Sequence, residues 1–115
     1  MLLRAVPRRR AAMLACALGG LLLAVSVARA DDAQISIDNF SFTPPVLTVP
    51  AGTKVVCTNH DDIPHTVVDA GATPPGWRSK ALDTDDSFSH VFDKPGTYKY
   101  FCGLHPHMQG TVVVQ

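Results

Sequence analysis

Thr97-Tyr98-Lys99-Tyr100-Phe101-Cys102-Gly103-Leu104-His105-Pro106-His107-Met108-Gln109-Gly110-Thr111-Val112-Val113-Val114 is the stretch that decides how this chain is read. Its first part alternates with a period of two, so Tyr98, Tyr100 and Cys102 share one face of an extended strand and the sulfur points inward at the strand end. Its last part, Gly110 to Val114, is a closing β-rich run. Between the two strands a thiol, an imidazole and a thioether recur at every third position, at Cys102, His105 and Met108. Two apolar strands joined by a loop of donor side chains describe a sheet with a metal site at one end.

The donor types narrow the metal. A soft thiolate with imidazole and thioether suits copper in both oxidation states, and two histidines with one cysteine and a long axial methionine form the blue-copper electron-transfer set. The loop accounts for one histidine, and the second must come from elsewhere in the fold. His65 is the candidate: it follows the polar turn Asn59-His60-Asp61-Asp62-Ile63-Pro64 and opens the extended run Thr66-Val67-Val68. Taken singly, a histidine beside a proline is usually a turn residue and a methionine usually fills a core gap. Their joint occurrence makes His65, Cys102, His105 and Met108 the expected metal ligands. Zinc is also served by histidine and cysteine in tetrahedral sites, but thioether is a poor donor to it.

The rest of residues 31–115 repeats the strand signal between proline and glycine breaks. Strands are expected at Gln34 to Ile37, across Asn39-Phe40-Ser41-Phe42, at Val46 to Val49 and at Lys54 to Asn59, with a turn at Pro50-Ala51-Gly52-Thr53. Further strands are expected at Ser87 to Phe92 and Thr97 to Cys102, with a turn at Asp93-Lys94-Pro95-Gly96. Residues 71–76 read as a loop, and Trp77 to Leu82 as a helical turn or an irregular edge, with Trp77 covering one end of the core. Six to eight short strands with almost no helical periodicity predict an all-β, Greek-key β-sandwich. No repeat or interdomain linker is visible.

Pro64-His65-Thr66-Val67, then Gly96 to Cys102, then His105-Pro106-His107-Met108 resemble the cupredoxins, the small type 1 blue copper proteins. The two-residue gaps on either side of His105 are most similar to the amicyanin branch, with plastocyanin-like members next. The resemblance covers essentially the whole chain after residue 33 and implies one copper ion cycling between Cu(I) and Cu(II), with His105 as the ligand nearest solvent. It also implies a docking patch from Pro44, Pro64, Leu104 and Pro106, and redox partners such as a c-type cytochrome or an amine dehydrogenase. Two positions depart from the pattern: many relatives carry tryptophan where this chain has Cys57, and asparagine where it has Thr66. Asn59 and Thr66 are expected to pin the ligand loop, while His60, His90 and His107 stay outside the ligand set.

Residues 1–30 read as a secretory signal peptide. Arg4, Arg8, Arg9 and Arg10 precede an uncharged apolar run from Ala11 to Val27, and Ala28-Arg29-Ala30 forms a small-x-small cleavage site. An uncleaved anchor is the alternative, and export by the general or the twin-arginine route is left open. Residues 31–115 then form one copper-binding domain in the periplasm. This part carries five cations against ten aspartates, a net charge of −5, so it offers no basic surface for nucleic acid. Its cysteines, Cys57 and Cys102, are expected not to pair, because a metal-bound thiolate cannot also be half of a cystine. Cys57 is then a buried free thiol acting as a small hydrophobe.

No catalytic triad, phosphate loop or paired catalytic carboxylates emerge, and glutamate is absent. The expectation is a monomeric electron carrier and not an enzyme. Copper delivery or storage is the alternative function.

Overall fold

The computed structural model describes residues 31–115 together with Gly20, so the expected leader falls almost entirely outside the described residues. Eight strands follow one another: β1 (Ala33–Asp38), β2 (Ser41–Thr43), β3 (Val46–Val49), β4 (Thr53–Asn59), β5 (Val68–Asp69), β6 (Ser87–Phe92), β7 (Gly96–Phe101) and β8 (Gln109–Val114). They form two four-stranded sheets, ordered β2-β1-β4-β6 and β3-β8-β7-β5. The expected all-β sandwich is what forms. β1 pairs with β2 and β7 with β8 in antiparallel fashion, the other connections cross between the layers, and β1 with β4 and β3 with β8 run parallel across long connections.

Period-two alternation explains which side chains meet. In β4 the residues Thr53, Val55, Cys57 and Asn59 are all buried while their neighbours are not. They line up with Ile35 and Ile37 of β1 on one side and Phe88, His90 and Phe92 of β6 on the other. The facing layer contributes Val49, Tyr100, Val112 and Val114, so the core is a sandwich of aliphatic and aromatic inner faces. Cys57 sits inside this layer as a free, buried thiol, as expected. Gly52 supplies φ 88° in the turn from Pro50 to Thr53, a left-handed position that β-carbon-bearing residues avoid. Trp77 covers the open side of β6, stacking at 6.2 Å on Phe88 and 5.0 Å on His90.

Two local expectations are corrected. Asn39 and Phe40 do not extend the strand alternation: they have φ 48° and 56° and make the two-residue connection between β1 and β2, whose last register pair is Asp38 with Ser41. The right-handed twist of a tight hairpin favours left-handed central residues, and that requirement overrides the strand propensity of phenylalanine. His65 does not open a regular strand either. It forms an isolated bridge with Leu82, because the chain from Trp77 to Leu82 is the irregular edge, and only Val68–Asp69 pairs with β7. The β1–β2 turn, the segment 60–67 and the loop 102–108 all gather at one end of the sandwich.

Candidate metal centre

Backbone bonds fix each donor before any side chain is considered. Cys102 follows directly on β7, and its amide donates to the Met108 carbonyl at 3.0 Å. Within that closed loop the Met108 amide donates to the His105 carbonyl at 2.9 Å. The three-residue spacing seen in the sequence is thus a compact loop closed by two backbone bonds. His65 is held from the other side by reciprocal bonds with Leu82, at 3.1 and 2.8 Å.

These constraints bring the donors together across 37 residues of chain. The Cys102 sulfur lies 3.7 Å from His65 Nδ1 and 3.8 Å from His105 Nδ1, and the three donor atoms are within 4.8 Å of one another. Cys102 and His65 are fully buried, Met108 is buried, and His105 is partly exposed. His60 and His107 lie outside on the surface, and His90 packs on Trp77.

The electrostatics favour a thiolate. Burial, the largest influence on Cys102, works against its ionisation. The Thr66 amide at 3.4 Å, the two imidazoles and the Leu104 amide together outweigh burial and bring the thiol down to about 6. A sulfur that is anionic at neutral pH, converging with two imidazole nitrogens in a water-poor pocket, is a donor set suited to a soft or borderline metal ion.

Asn59 and Thr66 behave as the sequence led us to expect. Asn59 is completely buried, and its side chain donates to the Ile63 and Leu82 carbonyls at 2.9 Å and accepts the Asp61 amide at 2.9 Å. Thr66 Oγ1 accepts the Gly103 amide at 2.7 Å, tying the His65 segment to the cysteine loop.

One participant was not read from the sequence. Asp61 Oδ2 lies 2.7 Å from His65 Nε2. That bond puts the ring proton on Nε2 and leaves Nδ1 as the free donor facing the sulfur. The available signal was a carboxylate four residues before a candidate ligand, and ten aspartates make such a signal common.

Comparison with known proteins agrees with this geometry. The family model described as "Cupredoxin-like domain" matches residues 11–114. Amicyanin-alpha of Methylorubrum extorquens is 35% identical over 100 residues, covering 84% of this chain and 82% of the relative. The chloroplastic plastocyanin of Tetradesmus obliquus is 37% identical over 111 residues, covering 86% of this chain and 76% of the relative. Among solved structures, a purple cupredoxin from Nitrosopumilus maritimus matches with TM-score 0.68 and 37% identity, over 73% of this chain and all of that one. A copper-containing nitrite reductase from Thermus scotoductus matches with TM-score 0.68 and 28% identity, but this chain spans only 23% of it. With kinship running along most of the chain and a thiolate and two imidazoles converging at one end of the same sandwich, this chain belongs to the cupredoxin-like family, and the cofactor its donors suit is copper.

Proposed function

We propose that the protein is a type 1 copper electron carrier of the periplasm, with Cys102, His65 and His105 as the strong ligands and Met108 as the weak axial donor. The observation that carries this reading is the convergence of the three donor atoms within 4.8 Å, with the thiol already pulled down to about 6. Bound copper supplies a one-electron couple between Cu(II) and Cu(I). The chain's own contribution is to keep the donors still. His65 is fixed by Leu82 and Asp61, and the Cys102 to Met108 loop by its two internal bonds, so little rearrangement accompanies a change of charge. His105 is the partly exposed donor, which makes its ring the exit for the electron.

The reading as a carrier and not an enzyme is supported by similarity to amicyanin and plastocyanin along 82% and 76% of their lengths, against 23% of the nitrite reductase. The surface around His105 suits brief docking: Leu104 is 54% exposed, and Pro64 and Pro106 are exposed beside it. Asp62, Asp83 and Asp85 are exposed in the neighbouring loops and complement a cationic redox partner, such as a c-type cytochrome, with an amine dehydrogenase as the alternative donor. The leader-like residues 1–30 support export.

The test is to load the exported protein with Cu(II) and record its visible absorption and paramagnetic resonance. An intense sulfur-to-copper charge-transfer band with small hyperfine splitting, abolished by Cys102→Ser, is expected. A colourless protein that exchanges copper readily overturns the carrier reading in favour of delivery or storage.

A further inference from the structure

The turn between β1 and β2 presents a puzzle that the metal site resolves. Asn39 and Phe40 are both left-handed, a conformation asparagine tolerates and phenylalanine does not favour. Phe40 is also 51% exposed, so burial of its ring does not hold it there. What holds the turn is a carboxylate from a distant segment. Asp61 Oδ1 accepts the Asn39 amide at 2.6 Å, and Asp61 Oδ2 accepts the Phe40 amide at 3.0 Å. Two successive left-handed amides closing on one carboxylate form an anion nest, and such charge-assisted bonds are stronger than neutral ones.

The same Asp61 Oδ2 also takes His65 Nε2. One carboxylate therefore joins three donors: two that shape the turn and one that orients a metal-binding ring. The geometry of the turn then aims Phe40 across the site. Its ring makes a T-shaped pair with His65 at 5.6 Å and 86°, and another with His105 at 5.2 Å and 89°. The two imidazoles are themselves 5.1 Å apart, so Phe40 bridges them from the solvent side. Edge-to-face contact is the arrangement aromatic quadrupoles prefer, and it constrains ring tilt in a way an aliphatic side chain does not.

We propose that Asp61 and Phe40 are positioning residues acting as one device, in which Asp61 locks the β1–β2 turn so that Phe40 sets the tilt of both histidine rings. This rests on His65 and His105 being metal ligands. It goes beyond that assignment in coupling a turn distant in sequence to the shape of the site. Removing the carboxylate frees the turn, swings Phe40 away and loosens His105 as well as His65. Replacing Phe40 with leucine keeps apolar cover but loses the perpendicular aromatic contact, and so disturbs the histidine rings while leaving the turn in place.

The test has one arm without metal and one with it. In the metal-free protein, Asp61→Asn offers one acceptor oxygen where three donors converge, so Asn39 and Phe40 amide exchange should rise by about tenfold or more. The Val112 amide, within the core, serves as the unaffected reference. In the Cu(II) protein, Asp61→Asn and Phe40→Leu should both change the rhombicity of the paramagnetic signal, whereas Phe40→Tyr should restore the parent signal. Unchanged exchange of the two amides in Asp61→Asn overturns the proposal. So does a parent-like signal in Phe40→Leu, which would mean that Asp61 acts on His65 alone. If Asp61→Asn does not fold, Asp61→Glu, which keeps the charge but displaces it by one methylene, takes its place in both comparisons. A parent protein that never shows a type 1 signal refutes the metal reading, and the exchange arm still judges the clamp.

Discussion

Tyr100 on β7 reaches into the space a β-carbon on its register partner, Gly110 of β8, would occupy. Such an atom would stand 2.7 Å from Tyr100 Cε2 and closer still to Cζ and the hydroxyl. The absent side chain at Gly110 is what allows a tyrosine to be fully buried two residues before Cys102. Gly110→Ala should cost about 1–3 kcal/mol through overpacking, read as a lower urea midpoint. Tyr100→Phe in the same assay should be neutral or stabilising, because the Tyr100 hydroxyl is buried with no hydrogen-bond partner. A large loss from Tyr100→Phe would contradict this account.

Removing copper should lower the melting temperature. A ligand that binds only the native state at a thousandfold excess over its dissociation constant adds about 4 kcal/mol, a large share of the stability of a small domain. Calorimetry of the loaded and the chelator-stripped protein checks this, and coincident transitions would count against a native site.

Thr66→Val keeps the shape at position 66 but deprives the Gly103 amide of its acceptor. Loss of about 1 kcal/mol in chemical denaturation is expected, with faster exchange of the Gly103 amide. Thr66→Ser, which retains the hydroxyl, should recover most of the loss.

Cys57 gives a slope on the alkaline side. Burial pushes its thiol up to about 12, whereas an unfolded thiol ionises at about 8.5. Above that lower value the unfolded chain releases a proton that the folded chain keeps, so stability falls as pH rises through this interval. Cys57→Val should flatten the decline between about pH 8.5 and 10, measured by urea midpoints with the metal state held constant. A decline as steep in Cys57→Val as in the parent would assign the slope to other groups.

His90 gives a slope on the acid side. Burial lowers its imidazole below the usual range, and the nearby Asp69 and Asp93 carboxylates only partly oppose this. In the folded protein the neutral ring stacks on Trp77 at 5.0 Å. As pH falls below about 6.5 the unfolded histidine takes up a proton before the folded one does, so the stabilisation present above that value is progressively lost. His90→Gln should be less sensitive to pH between about 6.5 and 5, as read by thermal melts.

The inward faces of β1, β4 and β7 were legible because side-chain direction alternates residue by residue, and the pattern at Ile35, Ile37, Val55, Cys57, Tyr100 and Cys102 survives folding unchanged. Turn chemistry was less legible. Asn39-Phe40 resembled two more strand residues, since asparagine tolerates a left-handed turn without requiring one and phenylalanine favours a strand.

The amino-acid order alone determined the sandwich and the donor loop, because strand alternation and the Cys102, His105 and Met108 spacing are properties of neighbouring residues. Only the folded chain decided that Asp61 would meet amides 21 and 22 residues earlier and His65 four residues later, and that Phe40 would lie across both imidazoles. Contacts of that kind are fixed by how the end loops of two packed sheets converge, and no local spacing in the sequence records that convergence.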